Sequence, residues 1–234
     1  MPKENIDKIG IIVPNGNYTY IRRNKEYNPH IYSRFGKYGC NLTVSSRAML
    51  KMNELPKISK NNIGLYTPII ERATNINIDE NTLLNSHLYW LDVCTDVIND
   101  TGLDNKDFIG ILREQAYQKT SKHEVIVGFD KEKGFECSLT IKSSCKTIKD
   151  SLAIYSKIPE IKSNMYSQPD YYNNFSPQYM LENAYLIRNE RRMQSLSAIK
   201  KAYHLEQLSV VTLNDIFACE ANVVADKIMD IFLK

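Results

Sequence analysis

The chain has 234 residues, of which 43% are hydrophobic and 24% are charged, and its formal net charge is +3. This hydrophobic content excludes wholesale disorder and is sufficient for one large domain with a buried core. The small positive charge permits a nucleic-acid partner but does not indicate one.

The cysteines and the hydropathy pattern narrow the class of protein further. The five cysteines form no Cys-x-x-Cys pair and no Cys/His ligand spacing, which argues against a disulfide framework and a structural zinc site. The N-terminus has no apolar stretch of signal length, and no run of about 18 apolar residues occurs. We therefore expect a cytoplasmic protein that has no membrane partner.

The first half of the chain predicts strands followed by helices. Runs separated by Gly, Pro and Asn predict short strands at 9–14, 17–23, 30–36 and 40–46. Residues 45–53 suggest a helix with Ser45 or Ser46 as N-cap. Pro68 is suited to the first turn of a helix in the otherwise ambiguous segment 65–76, and 79–85 suits a helical turn or a loop.

The second half alternates between strand and helix patterns. Residues 87–98 alternate like a strand, 103–118 carry a helical apolar stripe, and 123–130 and 135–144 form a hairpin with Gly134 in the turn. A strand at 151–157 precedes a Pro-, Tyr- and Asn-rich connection, 164–179. Residues 183–199 begin as a strand and become helical, and helices follow, with Thr212 and Asp215 resembling a capping box.

These elements predict an α+β fold with a mainly antiparallel central sheet, helices on one face and a helical C-terminal segment. We assign residues 1–194 to the α+β domain and 195–234 to a C-terminal helical segment that packs on it. The apolar C-terminal helix also leaves open a structural or oligomerising role, although most such helices pack on their own domain.

Three strand-like segments place ionisable groups on one face. Alternation puts Asp92 and Asp96 on one side of the first, and Tyr155 and Lys157 on one side of the second. In the third segment, Leu186, Arg188, Glu190 and Arg192 share a side. If the three strands are neighbours, carboxylates converge near a tyrosine, a lysine and two arginines.

Such a face has the groups needed for phosphodiester chemistry. Clustered carboxylates suit Mg²⁺ or Mn²⁺, and a metal beside a phosphodiester polarises its oxygen. A tyrosine hydroxyl needs a nearby cation or metal before it attacks readily, and Lys157 is placed to supply charge or to grip a phosphate. The histidines, at 30, 87, 123 and 204, form no H-x-H pair, so a metal site would consist mainly of carboxylates.

Each group also has a structural explanation when it is considered alone. A strand tyrosine usually packs, an Asp beside Leu and Val usually faces solvent, and the run 188–192 resembles a salt-bridged surface. The basic, Ser-rich stretch 142–149 resembles an ordinary polar turn.

Considered together, the three segments resemble the rolling-circle replication initiators of filamentous phages and related plasmids. Leu91-Asp92-Val93-Cys94-Thr95, then Ser151 to Lys157 followed by Glu160-Ile161, then Ile187 to Met193 match three successive motifs, and Asn189 replaces a usual aromatic residue. The likeness extends over roughly 40–218.

The resemblance implies a metal-dependent enzyme that nicks and rejoins DNA at an origin. Tyr155 would be the nucleophile, Lys157 its helper, and Asp92, Glu190 and Asp96 the ligands of Mg²⁺ or Mn²⁺. Arg188 would help on the phosphate side. We also expect Arg192 and three lysines of the basic stretch to bind DNA, namely Lys142, Lys146 and Lys149. Single-stranded or supercoiled DNA is the expected partner, with host replication or defence proteins as further partners.

A rival hypothesis is a catalytically silent, phage-borne descendant of the same fold. Such a protein would bind nucleic acid or a host defence nucleoprotein complex. Tyr171, Tyr172 and Phe175 would then be available to stack on bases.

Overall fold

The computed structural model describes residues 4–13, 30–36, 39–119, 123–130, 135–143 and 149–233. Within these ranges the chain forms eight β-strands and nine α-helices. The strands are β1 Asn5–Val13, β2 Ile31–Gly36, β3 Gly39–Ser45, β4 His87–Ile98, β5 His123–Asp130, β6 Phe135–Ser143, β7 Asp150–Ser156 and β8 Leu186–Met193. The helices are α1 Thr67–Thr74, α2 Glu80–Asn85, α3 Asn105–Lys119, α4 Lys157–Ser163, α5 Pro169–Asn173, α6 Pro177–Glu182, α7 Leu196–Tyr203, α8 Leu213–Ala218 and α9 Val223–Phe232.

All eight strands belong to one antiparallel sheet, in the order β2-β3-β1-β4-β8-β7-β6-β5. The α+β fold with a mainly antiparallel sheet is therefore confirmed. The expectation that the three polar segments are neighbours is also confirmed, because β4, β8 and β7 lie side by side at the centre.

One face of the sheet is apolar and carries the main hydrophobic core. Alternate residues of each central strand point to this face because side chains alternate along a strand. Examples are Ile9, Leu91, Leu152 and Met193, all of which are fully buried. Helices α1, α2, α3, α7, α8 and α9 contribute apolar side chains to the same core.

The C-terminal helix α9 is part of this layer. Val224 and Phe232 are buried in the main core, and the backbone N–H groups of Val223 and Val224 donate to the Glu4 carboxylate. Glu4 thus satisfies N–H groups that the first turn of a helix leaves without partners. The helix packs on its own domain, which removes the observation that suggested an oligomerising role.

A smaller helical layer, α4 to α6, lies beside the opposite, polar face. Its apolar side chains form a separate cluster of Ile158, Ile161, Tyr171, Phe175 and Met180. The 164–179 connection therefore contains two short helices, each starting with a proline in its first turn.

The local predictions were confirmed at most elements. Pro68 does open α1, and Thr212 with Asp215 does form a capping box at α8. The helix expected at 45–53 is wrong, since only Ser46–Ala48 forms a single 3₁₀ turn. The strand expected at 17–23 and the turn at Gly134 lie outside the described residues.

Candidate active site

The polar face of the sheet brings the predicted site residues together in successive rows across the strands. Directly paired residues of an antiparallel sheet point to the same face. One row consists of Lys142, Ser151, Arg192, Asp92 and Lys8; the next of Thr140, Ala153, Glu190 and Cys94; and the third of Ser138, Tyr155, Arg188 and Asp96. A cavity of about 990 Å³ opens over this face.

Tyr155 and Glu190 are joined by a hydrogen bond at the wall of this cavity. The phenol hydroxyl donates to Glu190 Oε2 across 2.8 Å. Burial, and then the negative charge of Glu190, raise the pKa of Tyr155 well above its ordinary value. The phenol is therefore neutral at physiological pH, and Glu190 is positioned to accept its proton.

Arg192 binds the same carboxylate from its own strand. Its Nε donates to Glu190 Oε1 across 2.8 Å, and its Nη2 donates to Oε2 across 3.1 Å. The Arg192 side chain keeps a relative exposure of 37% and lines the cavity. Arg192 thus holds Glu190 in place and presents positive charge to the cavity.

Asp92 lies beside Glu190 and completes a pair of crowded carboxylates. Asp92 Oδ1 accepts a 2.6 Å hydrogen bond from Trp90 Nε1, and Lys8 Nζ lies 4.0 Å from Oδ2. Burial, and then the charge of Glu190, raise the pKa of Asp92 to about 7. Two almost fully buried acidic groups therefore repel each other near neutral pH.

Arg188 and Asp96 form a bidentate ion pair on the same face. Arg188 Nε and Nη2 each donate to one oxygen of Asp96 across 2.7 Å, and Nη1 donates to Asp7 Oδ1 across 3.2 Å. Arg188 is only 2% exposed. In this arrangement Arg188 binds carboxylates of its own chain, so its predicted DNA contact and the predicted metal contact of Asp96 remain predictions.

Lys157 occupies a different element from the one expected. The strand ends at Ser156, and Lys157 begins helix α4, because the chain turns just before Pro159. Its ammonium nevertheless lies 5.6 Å from the ring centre of Tyr155 and 2.8 Å from Glu160 Oε2. Burial, and then the charge of Arg188, lower the pKa of Lys157.

The predicted DNA-binding lysines are only partly described. Lys142 and Lys149 are exposed, and Lys142 lies in the same row as Arg192. Lys146 lies outside the described residues. Lys142 is therefore placed to extend positive charge from the cavity toward the hairpin of β5 and β6.

Two of the three predicted carboxylates line the cavity, where a predicted divalent cation would bind. Proteins commonly bind Mg²⁺ through one or two carboxylates, with waters and substrate phosphates as the remaining ligands. Asp92 and Glu190 meet this description, since both line the cavity and a cation would relieve their repulsion. Asp96 is not among the residues that line the cavity, and Arg188 binds both of its oxygens. Arg192 likewise binds both oxygens of Glu190, so a cation at Glu190 would have to replace that guanidinium. In the described part of the chain, no group of three or more His, Cys, Asp or Glu residues is arranged to hold a metal.

Several residues of the site were not predicted from the sequence. Asp7 reaches the polar face through a β-bulge in β1, and it accepts hydrogen bonds from Ser46 Oγ and Arg188. Arg47 bridges to Glu160 and lies 4.2 Å above the ring of Tyr171. Glu160 belongs to the tyrosine motif, but nothing in the sequence indicates that its partner is Arg47.

The aromatic residues proposed for base stacking in the rival hypothesis are largely unavailable. Tyr171 and Phe175 are 1% and 3% exposed, and their rings meet edge to face at 5.4 Å. Both rings belong to the small cluster under α4 to α6, so they present no face to a ligand.

Comparison with known proteins establishes no family. No family model and no curated protein matches the chain. One solved structure, described as the rolling circle replication initiator protein from Geobacillus stearothermophilus, aligns over 99% of this chain and 97% of its own with a TM-score of 0.39 and 11% identity. Among the described residues, no helix is long and apolar enough to cross a membrane. The comparison therefore leaves the function to be inferred from the residues themselves.

Proposed function

We propose that this protein is a replication initiator that nicks and rejoins one DNA strand at an origin, with Tyr155 as the nucleophile. One observation carries the proposal. Tyr155 is hydrogen-bonded to Glu190 at the wall of an open cavity, which Asp92 and Arg192 also line. These four residues come from three separate segments, and each segment matches a motif of the initiators in the same order.

The reaction would exchange one phosphate ester for another. The Tyr155 oxygen attacks phosphorus, the bond from phosphorus to the 3′ oxygen breaks, and a 5′-phosphotyrosyl bond forms. Glu190 accepts the phenol proton, and the departing 3′ oxygen takes a proton and becomes a free 3′-hydroxyl. Because the covalent bond conserves the ester, the reverse attack by a 3′-hydroxyl rejoins the strand.

The attack by Tyr155 requires positive charge nearby, because its phenol is neutral and buried. Arg192 supplies a guanidinium to the cavity, and the Lys157 ammonium lies beside the Tyr155 ring. An Mg²⁺ or Mn²⁺ ion held by Asp92 and Glu190 would polarise a phosphate oxygen. These charges would oppose the negative charge that develops as the phenol attacks.

The decisive experiment seeks the covalent adduct. The protein is incubated with Mn²⁺ or Mg²⁺ and supercoiled DNA that carries the origin of its own replicon. Nicking with a protein–DNA adduct that Tyr155→Phe abolishes would support the proposal. Tyr203→Phe is the matched control, because Tyr203 is a buried tyrosine in the core on the opposite face. Nicking that survives in Tyr155→Phe would overturn the assignment.

Glu190→Gln separates proton transfer from DNA binding. A general base contributes about 10²-fold to 10⁴-fold to a rate. We expect cleavage to fall by that order while affinity for origin DNA changes little. Equal losses of cleavage and affinity would contradict the assigned role of Glu190.

The second candidate function is that of the catalytically silent descendant, which would bind nucleic acid or a host nucleoprotein complex without cleaving DNA. It is favoured by the fact that Arg192 already binds both oxygens of Glu190. A protein of this kind would retard nucleic acid on a gel, or bind a host nucleoprotein complex, without forming an adduct under either metal.

A further inference from the structure

A second group of side chains, which are aromatic, lies on the polar face next to the charged rows. Gly10 of β1 pairs with Trp90 and Ile11 pairs with Leu88, so Tyr89 is an extra residue of a β-bulge. Tyr89 is hydrogen-bonded at 2.8 Å to Thr43 of β3, which pairs with Gly10. The bulge therefore puts two consecutive aromatic residues on the same face as Asp92.

Gly10 makes room for both rings. A Cβ atom at this position would lie 2.7 Å from Trp90 Cβ and 2.9 Å from Tyr89 Cζ, which is too close for either contact. The absence of a side chain lets the aromatic residues pack over the backbone of β1.

The Trp90 indole is fixed on two further sides. Its Nε1 donates to Asp92, and the Lys8 ammonium lies 5.2 Å from the ring centre. Trp90 is half-buried and lines the cavity together with Tyr32 of β2, whose side chain is 40% exposed. A large ring with a single orientation therefore lines the cavity beside the candidate active site, and a base that stacks on it would take the place of the Lys8 ammonium.

Cations follow the same face across the strands. Lys142, Arg192 and Lys8 belong to one row, with one strand between each consecutive pair. Ser151 lies between the first two cations and Asp92 between the last two. Because neighbouring strands are about 4.8 Å apart, consecutive cations lie roughly 10 Å apart at the backbone. Such a row suits a flexible phosphodiester chain that crosses the sheet.

We propose that Trp90 is a stacking platform for an unpaired nucleobase, and that it positions a single DNA strand with a phosphate between Lys8 and Arg192. The inference rests on the proposed function for the identity of the strand. Aromatic rings combined with a basic groove bind single strands, because every base has a face that can stack. Trp90 would be a positioning residue for the phosphate that Tyr155 attacks.

Trp90 is the only tryptophan of the chain, so its fluorescence reports on this site alone. The experiment uses full-length Tyr155→Phe protein, which cannot cleave, and a short oligothymidylate. Saturation should quench the Trp90 emission, while a hairpin duplex of equal charge should bind without quenching it. Binding without any change in emission would overturn the inference.

Substitution measures the stacking contribution directly. One stacked base contributes about 1–3 kcal/mol, so Trp90→Leu should weaken binding of a labelled oligothymidylate by roughly 5-fold to 150-fold. Trp90→Phe should retain most of the affinity. Tyr117→Leu, which changes an exposed aromatic residue of α3, is the control and should leave affinity unchanged.

An abasic oligomer of the same length separates stacking from general damage to the site. The protein that retains Trp90 should bind the abasic oligomer more weakly than oligothymidylate. The Trp90→Leu protein should bind the two oligomers with equal affinity. A loss of the same size in both proteins would contradict stacking. If the natural protein forms the adduct but Trp90 emission is not quenched in Tyr155→Phe, only the stacking role is rejected. If Trp90 emission is quenched but the natural protein forms no adduct, only the nickase function is rejected.

Discussion

Arg191 and Arg192 are neighbours in β8, yet they belong to two very different charged clusters. Arg191 points to the helical face, donates two 3.0 Å hydrogen bonds to Asp150 and a third, of 2.8 Å, to the carbonyl of Val223. Lys227 of α9 adds a 2.9 Å ion pair to Asp150. Arg192 points to the cavity and binds Glu190 next to the crowded Asp92.

The two clusters differ in how their charges are compensated, and this difference distinguishes a structural cluster from a candidate functional one. In the Arg191 cluster every charge is paired. Burial raises the pKa of Asp150, but the hydrogen bonds and charge of Arg191, with the charge of Lys227, outweigh burial and leave the pKa below its ordinary value. The cluster joins β7, β8 and α9. In the Arg192 cluster two carboxylates repel each other at the wall of an open cavity, which is the arrangement expected of a binding or catalytic site.

The largest expected effect is on stability, in a comparison of Arg191→Met with Arg192→Met. Arg191→Met removes three buried hydrogen bonds and leaves the Asp150 carboxylate with Lys227 as its remaining charged partner, so the free energy of unfolding should fall by about 2–3 kcal/mol. Arg192→Met should cost less, about 1 kcal/mol, because the Arg192 side chain is 37% exposed and the buried Glu190 carboxylate keeps its hydrogen bond from Tyr155. Urea unfolding of the two variants would measure both values, and equal losses would erase the distinction between the clusters.

The next effect is a gain in stability from Asp92→Asn. The folded protein holds the Asp92 proton up to a pKa of about 7, against 3.8 for the ordinary side chain. Its stabilising effect is therefore complete below pH 3.8 and is lost as the pH rises toward 7. The variant should be about 1–3 kcal/mol more stable than the natural protein above pH 7, and its stability should vary less with pH in this window.

The amide oxygen introduced by Asp92→Asn would still accept the hydrogen bond from Trp90, so the neighbouring ring should keep its place. Thermal unfolding between pH 4 and pH 8 tests the prediction. A variant that is less stable at pH 8 than the natural protein would show that Lys8 stabilises Asp92 more than Glu190 repels it.

A smaller effect on stability is expected from Lys157→Met. The ammonium is buried, and Glu160 keeps its second partner, Arg47. Methionine fills a similar volume without the cost of burying a charge, so the unfolding free energy should change by less than about 1 kcal/mol. Cleavage should nevertheless fall by about tenfold or more if Lys157 supplies charge beside Tyr155. Unchanged cleavage would assign Lys157 to the structure alone.

Much of the fold followed from patterns in the sequence. Alternation in 87–98 and 186–193 predicted which residues of each strand share a side, because the side-chain period of a strand is fixed at two. That is why Asp92 and Glu190 were assigned correctly to one face. The adjacency of β4, β8 and β7 did not follow from periodicity, since strand order depends on contacts between distant segments.

The parts of the site that escaped prediction depend on backbone irregularities. Two bulges in the pairing of β1 with β4 bring Asp7 and Tyr89 to the polar face, against simple alternation. The start of α4 at Lys157 removed that residue from the strand. The burial of Arg188 resulted from partners on two other strands, which no local pattern reveals.

The smallest expected effect concerns the salt dependence of DNA binding and distinguishes Lys142 from Arg188. Each contact with a phosphate of a single strand contributes about 0.7 to the slope of log affinity against log salt. Lys142→Met should lower that slope by this amount, because the exposed ammonium extends the row that contains Arg192. Arg188→Met should leave the slope unchanged and destabilise the protein instead, since Arg188 is bound by Asp96 and Asp7.

Lys106→Met, at an exposed position of α3, is the control. Titrations of an oligothymidylate at several salt concentrations would measure these slopes. If the slope falls in Arg188→Met but not in Lys142→Met, the DNA strand lies over the third row of the sheet, which contains Arg188, and not over the first, which contains Lys142.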